Sequence, residues 1–186
     1  FPNMKGDIGL GGLRDASIDL NPGDIFSHLQ IGGMLYLEGR NDKWAATSDL
    51  LYMKLKQDIS PNKPINSGTA TMSQTVWELA GMYKLNAWLE VGAGARLYNI
   101  TADAELKIAT LPPGTETTQS KSINETWVDP IIVTRLSYFT ETNWIAELRA
   151  DIGGFGIGSK FAWQIQADFG YRFSKLFHAT IGYRDI

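Results

Sequence analysis

Acidic and basic residues that recur two positions apart are the side chains in this chain best placed to do chemistry. Glu147, Arg149 and Asp151 alternate with Ala146, Leu148, Ala150 and Ile152, so on an extended segment the three charges share one face. Asp168 belongs to the next such segment and comes within reach if the two pair. Two carboxylates with different proton affinities are the minimum for general acid and base catalysis. The interleaved arginines favour a structural ion-pair lattice instead, because a planar guanidinium satisfies carboxylates two at a time.

Other candidates are weaker. A lipid hydrolase needs a nucleophile, a base and an orienting group. The chain has only His28 and His178, the latter four residues from Ser174, and neither shows that arrangement. Gly154-Phe155-Gly156-Ile157-Gly158-Ser159 lacks the Gly-Lys-Ser/Thr ending of a phosphate loop and reads as a flexible hairpin connection. Asp19, Asn21 and Asp24 could offer oxygens to calcium, but a full ligand series ending in glutamate is missing, and turn and cap chemistry explains them. Asn124-Glu125-Thr126 matters as a glycosylation sequon only in a eukaryotic secretory route. No catalytic, metal or cofactor site is assigned.

Composition narrows the class. A net charge of −3 gives no basic stripe for nucleic acid. With no cysteine, disulfides, thiolate metal sites and cysteine nucleophiles are excluded. The first residues, Phe1-Pro2-Asn3-Met4-Lys5, are not a signal peptide, so any export signal lies upstream. No apolar run is long enough for a membrane-spanning helix, a test to which a spanning strand is invisible.

The elements that must position the charges are strands. Period-2 segments bounded by turn residues fall at 31–40, 44–57, 71–84, 87–100, 126–139, 144–153, 160–173 and 176–186, with an earlier one within 4–13. One or two helical turns are expected at 21–29, where Asn21 caps, Pro22 suits the first helical position and Asp24 faces the helix N-terminus. The 186 residues make a single domain.

The connections are sorted by length. Tight turns at 41–43, 85–86, 140–143 and 174–175 alternate with long connections at 58–70, 101–125 and 154–159. Every second connection therefore lies at the same end of the sheet, as in barrels with short turns on one side of a membrane and long loops on the other. Within the longest, the Thr- and Ser-rich stretch 110–124, with Pro112-Pro113-Gly114, reads as a mobile exposed loop available for surface contact.

Each segment also has two faces. Phe161, Trp163, Ile165, Ala167, Phe169, Tyr171 and Phe173 oppose Gln164, Gln166, Asp168 and Arg172. Alternation alone suits water or lipid outside. Three details favour lipid. Trp44, Tyr83, Trp88, Tyr138, Trp144, Phe173 and Phe177 cluster beside the short turns like an interfacial girdle, and Tyr52 follows Trp44 at a spacing of roughly 20 Å. The polar face is mixed in sign and rich in arginine: Glu38, Arg40, Asp49, Glu78, Glu90, Arg96, Asp129, Arg135, Glu147, Arg149, Asp151, Asp168, Arg172 and Arg184 form an expected interior network. Small residues such as Gly92-Ala93-Gly94-Ala95 would make room for crossing side chains.

Trp127-Val128-Asp129-Pro130-Ile131-Ile132, then Asp151-Ile152-Gly153-Gly154-Phe155-Gly156-Ile157-Gly158-Ser159, Trp163-Gln164, Gly170-Tyr171-Arg172-Phe173 and Gly182-Tyr183-Arg184 together resemble small Gram-negative outer-membrane barrels of the opacity-protein, OmpA-like and OmpW-like pattern. The resemblance covers about a third of the chain and implies fold and location; no enzymatic activity is established for that group. Members of that group start their first strand further upstream and end with a further loop and strand, so the chain reads as a barrel clipped at both ends.

The expectation is thus an all-β, antiparallel, up-and-down transmembrane barrel of about eight to ten strands with one short loop helix. It would sit in a bacterial outer membrane, with lipid as partner and a charged, largely filled interior, in a structural or surface-contact role. A narrow channel or apolar-ligand conduit, with a gap at Gly92–Ala95, is the first alternative. A soluble lipocalin-like barrel, which would invert the faces, is the second.

Overall fold

The computed structural model of the chain describes residues 4–8, 16–20, 28–59, 65–110, 115–140, 142–173 and 178–185. Its elements are strands: β1 (Met4–Ile8), β2 (Ala16–Leu20), β3 (Leu29–Arg40), β4 (Trp44–Ile59), β5 (Ile65–Lys84), β6 (Leu89–Thr110), β7 (Thr115–Phe139), β8 (Trp144–Gly153), β9 (Ala162–Arg172) and β10 (His178–Asp185). β3 to β10 form one antiparallel sheet in which each strand pairs with its neighbours in sequence, and β1 pairs with β2 in a separate hairpin. The helical turns expected at 21–29 fall mostly outside the described residues, and Leu29 already opens β3.

The short turns are built by their own side chains. Asn41 Oδ1 accepts the amides of Lys43 and Trp44 at 2.9 and 2.8 Å, and Asn86 Oδ1 accepts those of Trp88 and Leu89 at 3.0 and 2.9 Å. These side chains mimic the backbone of a turn. Between β7 and β8, Thr140 Oγ1 accepts the Trp144 amide at 3.0 Å, and Asn143 takes the left-handed conformation that asparagine tolerates, with φ 66°.

At the other end the structure corrects the expected long connections. Segments 58–70 and 101–125 are largely strand: Asp58 pairs with Thr69, and Thr101–Thr110 pairs residue for residue with Thr115–Asn124. β4 to β7 run 16, 20, 22 and 25 residues, against 12, 10, 11 and 8 for β3, β8, β9 and β10. The asymmetry is a wing of four prolonged strands rather than a set of loops. The exposed stretch expected at 110–124 is thus strand from Thr115 onward, and Pro112-Pro113-Gly114 lies outside the described residues.

The sheet curls into a half-barrel, with β3 and β10 as its edge strands. The curl brings the inner faces of distant strands together, so that Glu38 on β3 meets Arg135 on β7 at 2.7 Å and Asp49 on β4 meets Arg184 on β10. Glycine fills positions on β6 where the neighbouring strand leaves no room for a side chain. A β-carbon at Gly92 would strike the Gly81 carbonyl and Met82, and one at Gly94 the Leu79 carbonyl and Ala80. The expected gap at Gly92–Ala95 is therefore filled by neighbouring backbone, and beside it Ala45, Ala80, Met82, Ile131 and Val133 pack into a small apolar cluster.

Candidate functional site

The inner face is polar at its centre and the outer face apolar. Arg96 and Asp129 are fully buried and Arg135 and Arg149 almost so, whereas Ile132, Tyr138, Phe161 and Phe173 are 54%, 67%, 63% and 69% exposed. On β9, Gln164 is buried while Trp163, Ile165 and Phe169 are exposed.

The buried charges gather in three groups. In the first, Glu78 bridges two arginines: Arg96 Nε and Nη2 donate to its Oε2 at 2.8 and 2.5 Å, and Arg149 Nη2 donates to its Oε1. Arg96 Nη2 also reaches Asp151 at 2.6 Å. In the second, Arg135 Nη1 meets Glu38 at 2.7 Å, its Nε donates to Glu90 at 2.7 Å, and Glu147 lies 3.8 Å away. Arg40 closes this group at the rim, at 2.7 Å from Glu38 and 3.3 Å from Glu90. In the third, Arg184 pairs with Asp49 and donates from Nε to Gln166 at 2.9 Å, while Gln166 donates to Asp168 at 2.7 Å.

Strand register sets the neighbours within the sheet, and the curl sets the partners across it. Glu90, Arg135, Arg149, Gln166 and Arg184 follow one another across five strands. Adjacent Arg135 and Arg149 would repel, and each instead turns to carboxylates, Arg135 to Glu38 and Glu90, Arg149 to Glu78. Buried ions hold only when such partners replace water on both sides.

Of the fourteen interior charges expected from the sequence, twelve take part in these three groups. Arg172 lines an interior cavity beside these groups. Asp129 differs. It is buried, but its carboxylate accepts the Ser159 amide at 2.6 Å and the Ser159 hydroxyl at 2.8 Å, and so holds the β8–β9 connection rather than an arginine. The hairpin connection expected at 154–159 is thus held to β7 by these two bonds.

Sequence reasoning missed Tyr36, whose hydroxyl donates to Glu38 and accepts from Arg135 at 3.2 Å, and Gln166, which links Arg184 to Asp168. Both lie on the charged face of their strands, but a search limited to charges passes over them.

The paired carboxylates considered for acid and base chemistry are engaged: Asp151 by Arg96, Glu147 by Ser137 at 3.1 Å, and Asp168 by Gln166. Among the described residues no cluster of histidine, cysteine or carboxylate side chains could hold a metal. Of the calcium candidates, Asn21 and Asp24 lie outside the described residues and Asp19 stands opposite Lys5 in the backbone register of β1 and β2. Ser174 also lies outside them, and His178 opens β10 opposite Arg172.

Space remains beside the groups. A cavity of about 600 Å³ is lined by Glu38, Asp49, Arg135, Glu147, Arg149, Arg172 and Arg184. A second, about 320 Å³ and mostly apolar, lies between β3, β4, β5 and the β9–β10 pair and is lined by Met34, Leu51, Met53, Val76, Tyr183 and Arg184. No known family, curated protein or solved structure matches the chain.

Proposed function

We propose that the chain is an integral β-barrel protein of a bacterial outer membrane, with lipid against its outer face, an ion-paired interior, and a non-enzymatic structural or surface-contact role carried by the wing. The resemblance of its Trp127–Arg184 motifs to small outer-membrane barrels agrees with this reading.

The observation that carries it is a change of chemistry along single strands. On the outer face, the row Leu50, Trp77, Leu97 and Val128 is apolar across β4 to β7. The next row is Tyr52, Thr75, Asn99 and Thr126, and the rows beyond are Lys54, Ser73, Thr101 and Asn124, then Lys56, Thr71, Asp103 and Ser122. On β4 and β6 the inner face changes the opposite way. On β4 it passes from Thr47 and Asp49 to Met53 and Leu55, and on β6 from Glu90 and Arg96 to Ala104 and Leu106, the four apolar ones buried. Strands in one solvent have no reason to exchange the chemistry of their faces at a common level. Strands that leave hydrocarbon for water do, because the favourable outer surface changes from apolar to polar at that boundary.

Tryptophan emission tests this. Trp44, Trp77, Trp88, Trp144 and Trp163 are all exposed. Protein folded into vesicles should be quenched by brominated acyl chains and protected from aqueous iodide. A stable native fold obtained in buffer without detergent, quenched by iodide, would overturn the reading.

The cavities support a second reading, a narrow conduit along the β3–β10 side. Planar-bilayer recordings separate the two: the filled interior predicts no steady openings, the conduit a small sustained conductance.

A further inference from the structure

The glycine-rich connection between β8 and β9 is built more firmly than a hairpin needs. The Gly154 amide donates to the Pro130 carbonyl at 3.1 Å, and the Ile157 amide donates to Gly154 at 2.9 Å. Phe155 and Gly156 between them have φ of 49° and 79°, the left-handed pair of a type I′ turn, in which a bulky β-carbon is disfavoured. Buried Asp129 holds the Ser159 amide and hydroxyl, and a β-carbon at Gly158 would stand 2.5 Å from both Asp129 Oδ1 and the Val128 carbonyl. One side of the turn is thus fixed to β7. On the other, Phe155 and Ile157 are 51% and 75% exposed. An unfavourable backbone that displays an aromatic ring to solvent, locked by a buried carboxylate, indicates use for that ring.

Its level identifies the neighbour. The turn docks on the carbonyls of Pro130 and Val128, the last two apolar positions of the outer face of β7 before Thr126. Ile152, Phe161 and Trp163 beside it are exposed and belong to the apolar belt.

We propose that this turn is an interfacial anchor: Phe155 and Ile157 insert among lipids at the boundary between headgroups and acyl chains, on the side of the wing. The proposal rests on the membrane reading above. Aromatic and aliphatic side chains are favoured at that depth, and the Asp129–Ser159 clamp fixes the loop so that inserting them orders little further chain.

The chain has no cysteine, so single substitutions can be spin-labelled cleanly. In phosphatidylcholine vesicles, Ile157→Cys is compared with Phe169→Cys within the belt and Thr71→Cys beyond it, reading collision with oxygen, which concentrates in lipid, against a water-soluble nickel chelate. The oxygen-to-nickel ratio at 157 should be severalfold above that at 71 and below that at 169, and adding Ser159→Ala should lower it to the value at 71. A ratio at 157 equal to that at 71, with 169 in lipid, overturns the anchor alone. A ratio at 157 that survives Ser159→Ala overturns the clamp. Water exposure at 169 removes the membrane reading and the anchor with it.

Discussion

Arg96 illustrates how much of this protein turns on single side chains. It is fully buried between Glu78 and Asp151, so Arg96→Ala leaves two carboxylates in the interior without their main partner. Breaking a buried pair in this way costs about 3–5 kcal/mol, whereas Arg40→Ala, at a rim side chain 49% exposed, should cost under about 1 kcal/mol. Urea unfolding of the vesicle-folded protein gives both values, and equal losses would mean that the interior is hydrated enough to screen the two sites alike. The membership of this network was legible because a strand has a period of two: once Glu147, Arg149 and Asp151 share a face, their neighbours on adjacent strands follow. The pairing was not. Alternation gives the same weight to Asp129 as to Asp151, and the register sets Asp129 opposite Arg96; the turn that folds back onto Asp129 gives it Ser159 instead, and Arg96 reaches across to Asp151.

The glycines of the sheet are of two kinds. At Gly92 an added β-carbon runs into the Gly81 carbonyl, while at Gly33 on β3 it meets nothing within 4 Å. Gly92→Ala should therefore lose about 1–3 kcal/mol by overpacking, and Gly33→Ala should stay within about 0.5 kcal/mol. Folding yield in detergent micelles, read as the compact, heat-sensitive gel band, ranks the two, and an undiminished yield for Gly92→Ala would refute this close packing. The lower parts of β5 and β6 were readable from their apolar alternation, and the tight turns from Asn41 and Asn86. The prolongations were misread because their outer residues, Thr101, Asp103 and Glu105 on β6, have the composition of a loop. The alternation with Ala102, Ala104 and Leu106 continues, with the apolar residues now on the inner side. A reading that waits for outward apolar residues stops at the boundary, although the strand does not.

Across the whole molecule, the exchange of face chemistry at one level is what joins an ion-paired interior, an exposed apolar belt and a polar wing into one account. Ile132 and Ser122 test it on a single strand. Both lie on the outer face of β7, ten residues apart, Ile132 opposite Ala93 and Ile152 within the belt and Ser122 opposite Asp103 in the wing. In a bilayer, arginine at a lipid-facing position near mid-depth costs about 2–4 kcal/mol, falling toward zero at the interface. The most direct measurement is the unfolding free energy of Ile132→Arg and Ser122→Arg in the same vesicles. The account predicts a loss of about 2–4 kcal/mol for the first and a change within about 0.5 kcal/mol for the second. Two equally small changes, as expected where both side chains face water, would contradict it.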